Sequence, residues 1–310
     1  MPTLTQLEYI VAVDTYRHFG SAAQKCFVTQ PTLSMQIKKA EEELGTILFD
    51  RSKQPVIPTD VGVEVVKQAR VVLREKERLH QVLADFQNNV SGQLRIGIIP
   101  TLAPYLLPLF VGDFVRSHPK IVLQVKELTT EQITIALQND LLDVGILVTP
   151  LYEEQINEQP LFYEEIKLYV HPQHSFYEKS NISLDELVGQ DLWLLSQGHC
   201  FRNQMINLCA INRNEKSALL PFEYEGGSLE ALKRLVDREG GFTLVPELAT
   251  HNLNGSVRSV ASPSPLREIS LVSVRNFAKT KALTLLSEQI LQAVPKHMHT
   301  KNRGQIVEWK

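Results

Sequence analysis

The sequence predicts an α/β protein with an all-α N-terminal part, and three observations predict it. Short helical periodicities broken by cap and stop residues fill the first sixty positions, one uninterrupted helical stretch follows, and beyond about residue 90 apolar runs alternate with amphipathic segments. The 310 residues carry 32 Lys+Arg against 35 Asp+Glu, a formal charge of −3, with 43% hydrophobic residues and a mean hydropathy of −0.11. At roughly 100–200 residues per domain this length suggests two or three domains, each able to bury a core without disulfide staples. Disorder, a collagen repeat and a cysteine-knot scaffold are excluded by this composition. No apolar run approaches the roughly 18 residues of a membrane span, and residues 1–20 lack the basic start and apolar centre of a secretory signal, so a cytoplasmic protein is expected. Cys26, Cys200 and Cys209 are too few, and odd in number, for a secreted framework. In a reducing compartment a bond between them is expected to be transient or redox-sensing. Basic and acidic residues balance over the first ninety positions, so any nucleic-acid binding has to be argued from pattern.

Thr3 is placed to cap a first helix whose apolar positions are Leu7, Ile10, Val11 and Val13. After a break at His18-Phe19-Gly20, Ser21 is expected to cap a second helix that carries Cys26 toward the core. Thr29 and Gln30 open a third, Pro31 suits its first turn and Gly45 stops it. Leu33, Ile37, Ala40 and Leu44 form its buried stripe, which leaves Thr32, Met35, Gln36 and Lys39 outward, with Ser34 and Lys38 at the margin. Two short helices and a tight turn, the second exposing short polar side chains, are the plan of a helix-turn-helix, and residues 48–58 add a small hairpin wing with Arg51 and Lys53. Gln30, Pro31, Thr32, Ser34, Gln36, Lys38, Lys39, Arg51 and Lys53 are thus the candidate DNA contacts. Pattern alone leaves open a helical bundle with a solvated polar face. Four cations give one copy modest affinity at about one released counterion per phosphate, so two copies are expected.

Residues 59–90 read as a linker helix. Val65, Ala69, Val72, Leu79, Leu83 and Phe86 fall on alternating three- and four-residue steps if Lys76 is admitted, a seam suited to pairing two subunits, the alternative being a helix packed on its own domain. A hinge is expected at 88–92. Strands are then expected near 94–99, 121–125, 144–148, 166–170, 192–195, 242–245 and 269–274, with helices near 106–117, 131–139, 229–238 and 283–293. Continuous apolar strands between helices predict parallel sheets covered on both faces, arranged as two Rossmann-like lobes around a cleft. The expected divisions are 1–58, 59–90 and 91–310, with lobe I about 91–163 and 268–300 and lobe II about 164–267.

With Ser21-Ala22-Ala23, Gln30-Pro31-Thr32-Leu33-Ser34 and residues 42–51, the N-terminal end resembles the DNA-binding end of LysR-type transcriptional regulators, and the remainder is similar to that family's two-lobed, periplasmic-binding-protein-like regulatory domain. Met35 stands where the family often has Arg. The run from Gly198 to Cys209, Ile99-Pro100-Thr101, residues 104–108 and Glu127-Leu128-Thr129-Thr130 resemble the family's hydrogen-peroxide-sensing members. That resemblance implies a redox-active pair in Cys200 and Cys209, with Thr101, Thr130, His199, Arg202 and Arg267 around the peroxide. It also implies promoter DNA and RNA polymerase as partners, a tetramer, and neither a cofactor nor a metal. Asn203 stands where those members commonly have Asp.

The segment also has chemistry of its own. Gly198 before a helix-forming run places Cys200 at a helix start, where free amides and the positive dipole end are expected to favour thiolate, and His199 and Arg202 can add donors or charge. Such a thiolate attacks peroxide to give sulfenic acid, which a second thiol converts to a disulfide, so Cys200 reacts and Cys209 resolves. Nine residues on an unbroken helix separate the two Cα atoms by roughly 13 Å. A disulfide tolerates at most about 7 Å, so the bond requires this segment to unwind and to displace Phe201, Met205, Ile206 and Leu208. The competing readings are two buried cysteines acting as small hydrophobes in a regulator that binds a metabolite in its cleft, and a cysteine peroxidase. A metal site at His199, Cys200 and Cys209 has unsuitable spacing.

Overall fold

The computed structural model describes residues 1–86, 90–187, 191–209, 222, 224–250, 256–260, 263–275, 277 and 279–309, with the side chains of 80–86 excepted. Asn88 and Asn89 of the expected hinge, and the side chains of Leu83 and Phe86, lie outside it. The chain divides into two compact units, residues 1–89 with 276–280, and residues 90–275 with 281–310.

In the first unit, α1 (Leu4–Tyr16) starts on a reciprocal cap in which the Gln6 amide donates to Thr3 Oγ1 while Gln6 Oε1 accepts from the Thr3 amide. The cap of α2 (Phe19–Lys25) is His18, whose Nδ1 accepts from the Ser21 amide at 3.2 Å, so Ser21 lies inside the first turn and is not the cap expected from sequence. An imidazole nitrogen supplies the same acceptor three residues earlier, and this start brings Phe19 against the core, edge-on to Phe49. Thr29 caps α3 (Gln30–Leu44), Pro31 occupies its first turn and Gly45, at φ +68°, ends it in the left-handed region that glycine tolerates. Leu33, Ile37 and Ala40 are fully buried and Leu44 packs beside them. The antiparallel pair β1 (Phe49–Asp50) and β2 (Ile57–Pro58) forms the wing. The long α4 (Asp60–Phe86) buries Val66 and Ala69 but leaves Val72 37% and Leu79 71% exposed.

The second unit opens as β3 (Gly92–Ile98), α5 (Ala103–Ser117), β4 (Ile121–Glu127), α6 (Thr130–Gln138) and β5 (Val144–Thr149), with β3 parallel to both β4 and β5. It continues with β6 (Ile156–Val170), β7 (Asn181–Ile182), α7 (Cys200–Leu208), α8 (Leu229–Glu239), β8 (Phe242–Pro246), β9 (Val257–Val260), β10 (Ser264–Val274), α9 (Thr280–Ala293) and β11 (Gly304–Ile306). The main path across the sheet is β4-β3-β5-β10-β6-β9-β7, with β11 beside β10 and β8 beside β6.

Two expectations fail here. The sheet is mixed, not parallel: β10 is antiparallel to both β5 and β6, and β6 is antiparallel to β8. The reason is that β6 is a single 15-residue strand, pairing with β10 over 156–165 and with β8 over 166–170, and so joining the two strand partners in one sheet. The stretch paired with β10 contains Glu158, Glu164 and Glu165, which interrupt the apolar run by which it would have been recognised. The other failure is residues 192–195, where Leu192 makes only an isolated bridge to Phe242. Leu192, Trp193 and Leu195 are apolar because they fill a hydrophobic core of the second unit with Phe176, Phe201, Met205, Leu232 and Phe242.

Candidate functional site

The outward face of α3 is the first candidate. Gln30, Pro31, Thr32, Met35, Lys38 and Lys39 are exposed there, as are Arg51 and Lys53 on the wing. Phe27, at φ +56° in the turn between α2 and α3, is also exposed. Some expected contacts are already engaged. Gln36 Oε1 accepts from Gln6 Nε2 at 3.3 Å, and the Thr32 and Thr29 hydroxyls lie 2.9 Å apart. Arg51 donates to Ser34 Oγ at 3.1 Å and to Glu41 Oε2 at 2.9 Å, and stacks over Phe19. Glu41 in turn accepts the Leu48 and Phe49 amides through Oε1, so this buried carboxylate ties wing to recognition helix. Lys53 is exposed, whereas Arg51 is partly committed to holding the wing.

The second candidate is a cleft of about 410 Å³ whose wall includes Thr130, Leu151, His199, Cys200, Asn203 and Trp309. Gly198, at φ +90°, turns the chain so that His199 becomes the N-cap residue and Cys200 the first residue of α7. Cys209 caps the opposite end of the same helix, and both thiols are free and buried. His199 also borders a smaller cavity of about 190 Å³ with Tyr105, Glu127 and Glu230, where a Cβ on Gly227 would stand 2.5 Å from His199 Nε2.

The electrostatics reverse one expectation. Burial pushes the Cys200 thiol up, and the influences that lower it, namely the Thr130 hydroxyl, the Arg267 charge and the Cys200 and Phe201 amides, do not overcome it. The helix start is real, but desolvating a sulfur anion outweighs a half-charge dipole. Burial alone pushes Cys209 up to about 12. For His199, burial lowers the pKa and Glu127 opposes this only in part, which keeps the imidazole neutral near pH 7. Thr130 Oγ1 is buried and, its influence on the Cys200 thiol apart, has no hydrogen-bond partner among the described residues.

Thr101 and Arg267 do not line the cleft; they form a buried cluster within the same unit. Arg267 donates to Thr101 Oγ1 at 3.1 Å and to Thr101 O at 3.2 Å, pairs with Glu164 at 2.8 Å from Nε, and sits 5.2 Å over the Phe201 ring. Glu164, fully buried and also accepting the Leu248 amide, was missed because it lies 103 residues from Arg267, and nothing local marks a strand Glu as a buried counter-ion. Arg202 is half-buried on α7 and does not line the cleft. Trp309 was also missed, since a tryptophan near a chain end carries no motif.

Residues 4–63 match the bacterial regulatory helix-turn-helix protein, lysR family, and residues 87–295 match the LysR substrate binding domain. The chain belongs to the LysR family. LysR-family relatives similar to it include the hydrogen peroxide-inducible genes activator of Haemophilus influenzae, 37% identical over 87% of this chain and 89% of that one. The DNA-binding transcriptional dual regulator OxyR of Escherichia coli K12 is 35% identical over 95% of each. Among solved structures, full-length OxyR from Pseudomonas aeruginosa superposes with a TM-score of 0.82 at 31% identity, over 97% of this chain and 98% of that one. A hydrogen-peroxide-bound OxyR mutant of Corynebacterium glutamicum gives 0.61 at 28%, over 94% of each. As a LysR-family member the chain is a DNA-binding transcription regulator. Among the described residues no helix is long and apolar enough to cross a membrane.

Proposed function

We propose that this regulator senses hydrogen peroxide through Cys200, that Cys209 resolves the oxidised sulfur as a disulfide, and that the resulting rearrangement alters promoter binding. The observation that carries the reading is Thr130 Oγ1, a buried hydroxyl that favours the thiolate of Cys200 and makes no other hydrogen bond among the described residues, in a cleft shared with a neutral His199. A small hydrogen-bonding ligand would satisfy that hydroxyl, and the His199 imidazole is in the right state to accept the thiol proton. The Cys200 thiolate attacks one peroxide oxygen, the O–O bond breaks, and the departing hydroxide takes a proton to become water. The Cys209 thiolate then attacks the sulfenic sulfur, S–S replaces S–O, and a second water leaves, so two electrons pass from two thiols to one peroxide. Thr101 and Arg267 support the site from the buried cluster, where the Arg267 charge favours the thiolate, and Arg202 adds charge on α7. The names borne by the Haemophilus and Escherichia relatives support the same reading.

On the DNA side, α3 enters the major groove. Gln30, Pro31, Thr32, Ser34, Gln36, Lys38 and Lys39 face bases and phosphates, and Arg51 and Lys53 of the wing face the backbone. The exposed Val72 and Leu79 of α4 belong to a subunit seam that pairs two such heads, with a tetramer and RNA polymerase contact as the operating state.

The test is a thiol count before and after stoichiometric peroxide, with a DNA footprint in each state, for wild type, Cys200→Ser and Cys209→Ser. Wild type should lose two thiols and change its footprint, and neither variant should form the disulfide. A wild-type footprint unmoved by peroxide overturns the proposal. The cavity at Tyr105 and Glu230 favours a second reading, a metabolite effector, which predicts that a ligand moves the footprint even in Cys200→Ser.

A further inference from the structure

The last described residues cross the face of α7. β11 runs parallel to β10, and the Val307 amide extends that pairing by donating to Leu266 O at 2.8 Å. From α7, Gln204 Nε2 donates to Val307 O at 2.8 Å and Asn207 Nδ2 donates to Glu308 O at 2.9 Å. These two amides are three residues apart and so share a helix face, gripping consecutive carbonyls of the strap. Trp309 comes next. Its indole N–H donates to Pro150 O at 3.1 Å, and its side chain forms part of the wall of the cleft that holds Cys200. The strap is therefore held by its carbonyls at 307 and 308, with Val307 packed on the core and the Glu308 carboxylate accepting from the Tyr152 hydroxyl at 3.4 Å, and Trp309 beyond them lines the cleft.

We propose that Trp309 is a specificity-determining residue, held over the cleft by the strap and by α7, so that a compact oxidant reaches Cys200 while one bearing an aryl or tertiary-alkyl group is turned away. The proposal rests on reading Cys200 as the oxidant-reactive thiol. The chemistry is the same for both oxidants: the thiolate attacks the peroxide oxygen that becomes the sulfenic oxygen, and hydroxide or an alkoxide leaves and is protonated to water or the alcohol. The leaving groups differ but are the same for wild type and variant, so the change between the two chains reports access, which is set by the volume the indole occupies. Because Gln204 and Asn207 can grip the strap only while α7 is helical, unwinding of α7 would also release Trp309.

The experiment measures Cys200 modification in the full chain, read on its own peptide by mass spectrometry. Hydrogen peroxide is compared with cumene hydroperoxide, and iodoacetamide with the bulkier N-ethylmaleimide. In Trp309→Ala the preference for the compact reagent should fall about tenfold in each pair, the scale of discrimination that steric differences in a pocket reach. Trp309→Phe, which restores a ring, should recover most of it, and Asn207→Ala, which loosens the strap, should lower it in the same direction. Preferences in Trp309→Ala equal to those of wild type overturn the proposal, and an unchanged Asn207→Ala overturns the role assigned to α7 in holding the ring. If no peroxide oxidises Cys200, the sensing reading fails on its own, while the alkylation pair still decides what Trp309 does.

Discussion

Cys200 is a thiol whose surroundings pull in opposite directions, and the resting balance lies with burial. Its thiolate fraction, and with it the rate of reaction with hydrogen peroxide, should therefore rise about tenfold per pH unit through neutrality and beyond, as expected below a raised pKa. Stopped-flow oxidation of a Cys209→Ser chain measures this, and a plateau already reached below pH 7 would show that the site lowers the thiol pKa instead. Beside it, the Arg267–Glu164 pair has no exposed surface on either side chain. Removing one partner leaves an uncompensated buried charge, so Arg267→Ala or Glu164→Gln should cost about 3–5 kcal/mol in urea unfolding, whereas replacing both with apolar residues of similar volume should recover much of it.

At the scale of elements, the wing and α7 each show how one segment holds another. Arg51 is tied to Glu41, Ser34 and Phe19, and Lys53 is exposed. Lys53→Ala should therefore reduce the salt dependence of DNA binding by about one counterion per copy without lowering stability. Arg51→Ala should also destabilise the first unit, because Glu41 loses its charged partner while remaining buried; fluorescence anisotropy against salt, with thermal melts, separates the two. In α7, Phe201, Met205, Leu208 and Cys209 all belong to one hydrophobic core of the second unit. The proposed oxidation, if it unwinds this helix, must pull several large side chains out of packing at once.

For the whole molecule, the proposed seam on α4 predicts that two copies of α3 meet the DNA together. Leu79 is a large apolar side chain left exposed in the second half of α4. Leu79→Glu should shift the chain toward monomer in sedimentation and weaken binding to a two-fold site far more than to a half-site, since two linked copies double the cations and make the second contact intramolecular. Equal weakening at both sites would remove α4 from the seam.

Local pattern carried the first sixty residues almost completely. The caps at Thr3 and Thr29, the stop at Gly45 and the buried stripe of α3 all depend on neighbours within a few positions, and such contacts leave their mark in spacing. His18 escaped because an imidazole rarely serves as a cap. In the second unit the sequence determined that strands and helices alternate and that Cys200 begins a helix ending near Cys209. Only the tertiary structure decided that β6 and β10 run antiparallel, that Glu164 neutralises Arg267, that burial outweighs the helix dipole at Cys200, and that Trp309 forms part of the wall of its cleft. Each of these joins residues far apart in the chain or weighs desolvation against charge, and both depend on what surrounds a side chain in space, which no spacing along the sequence records.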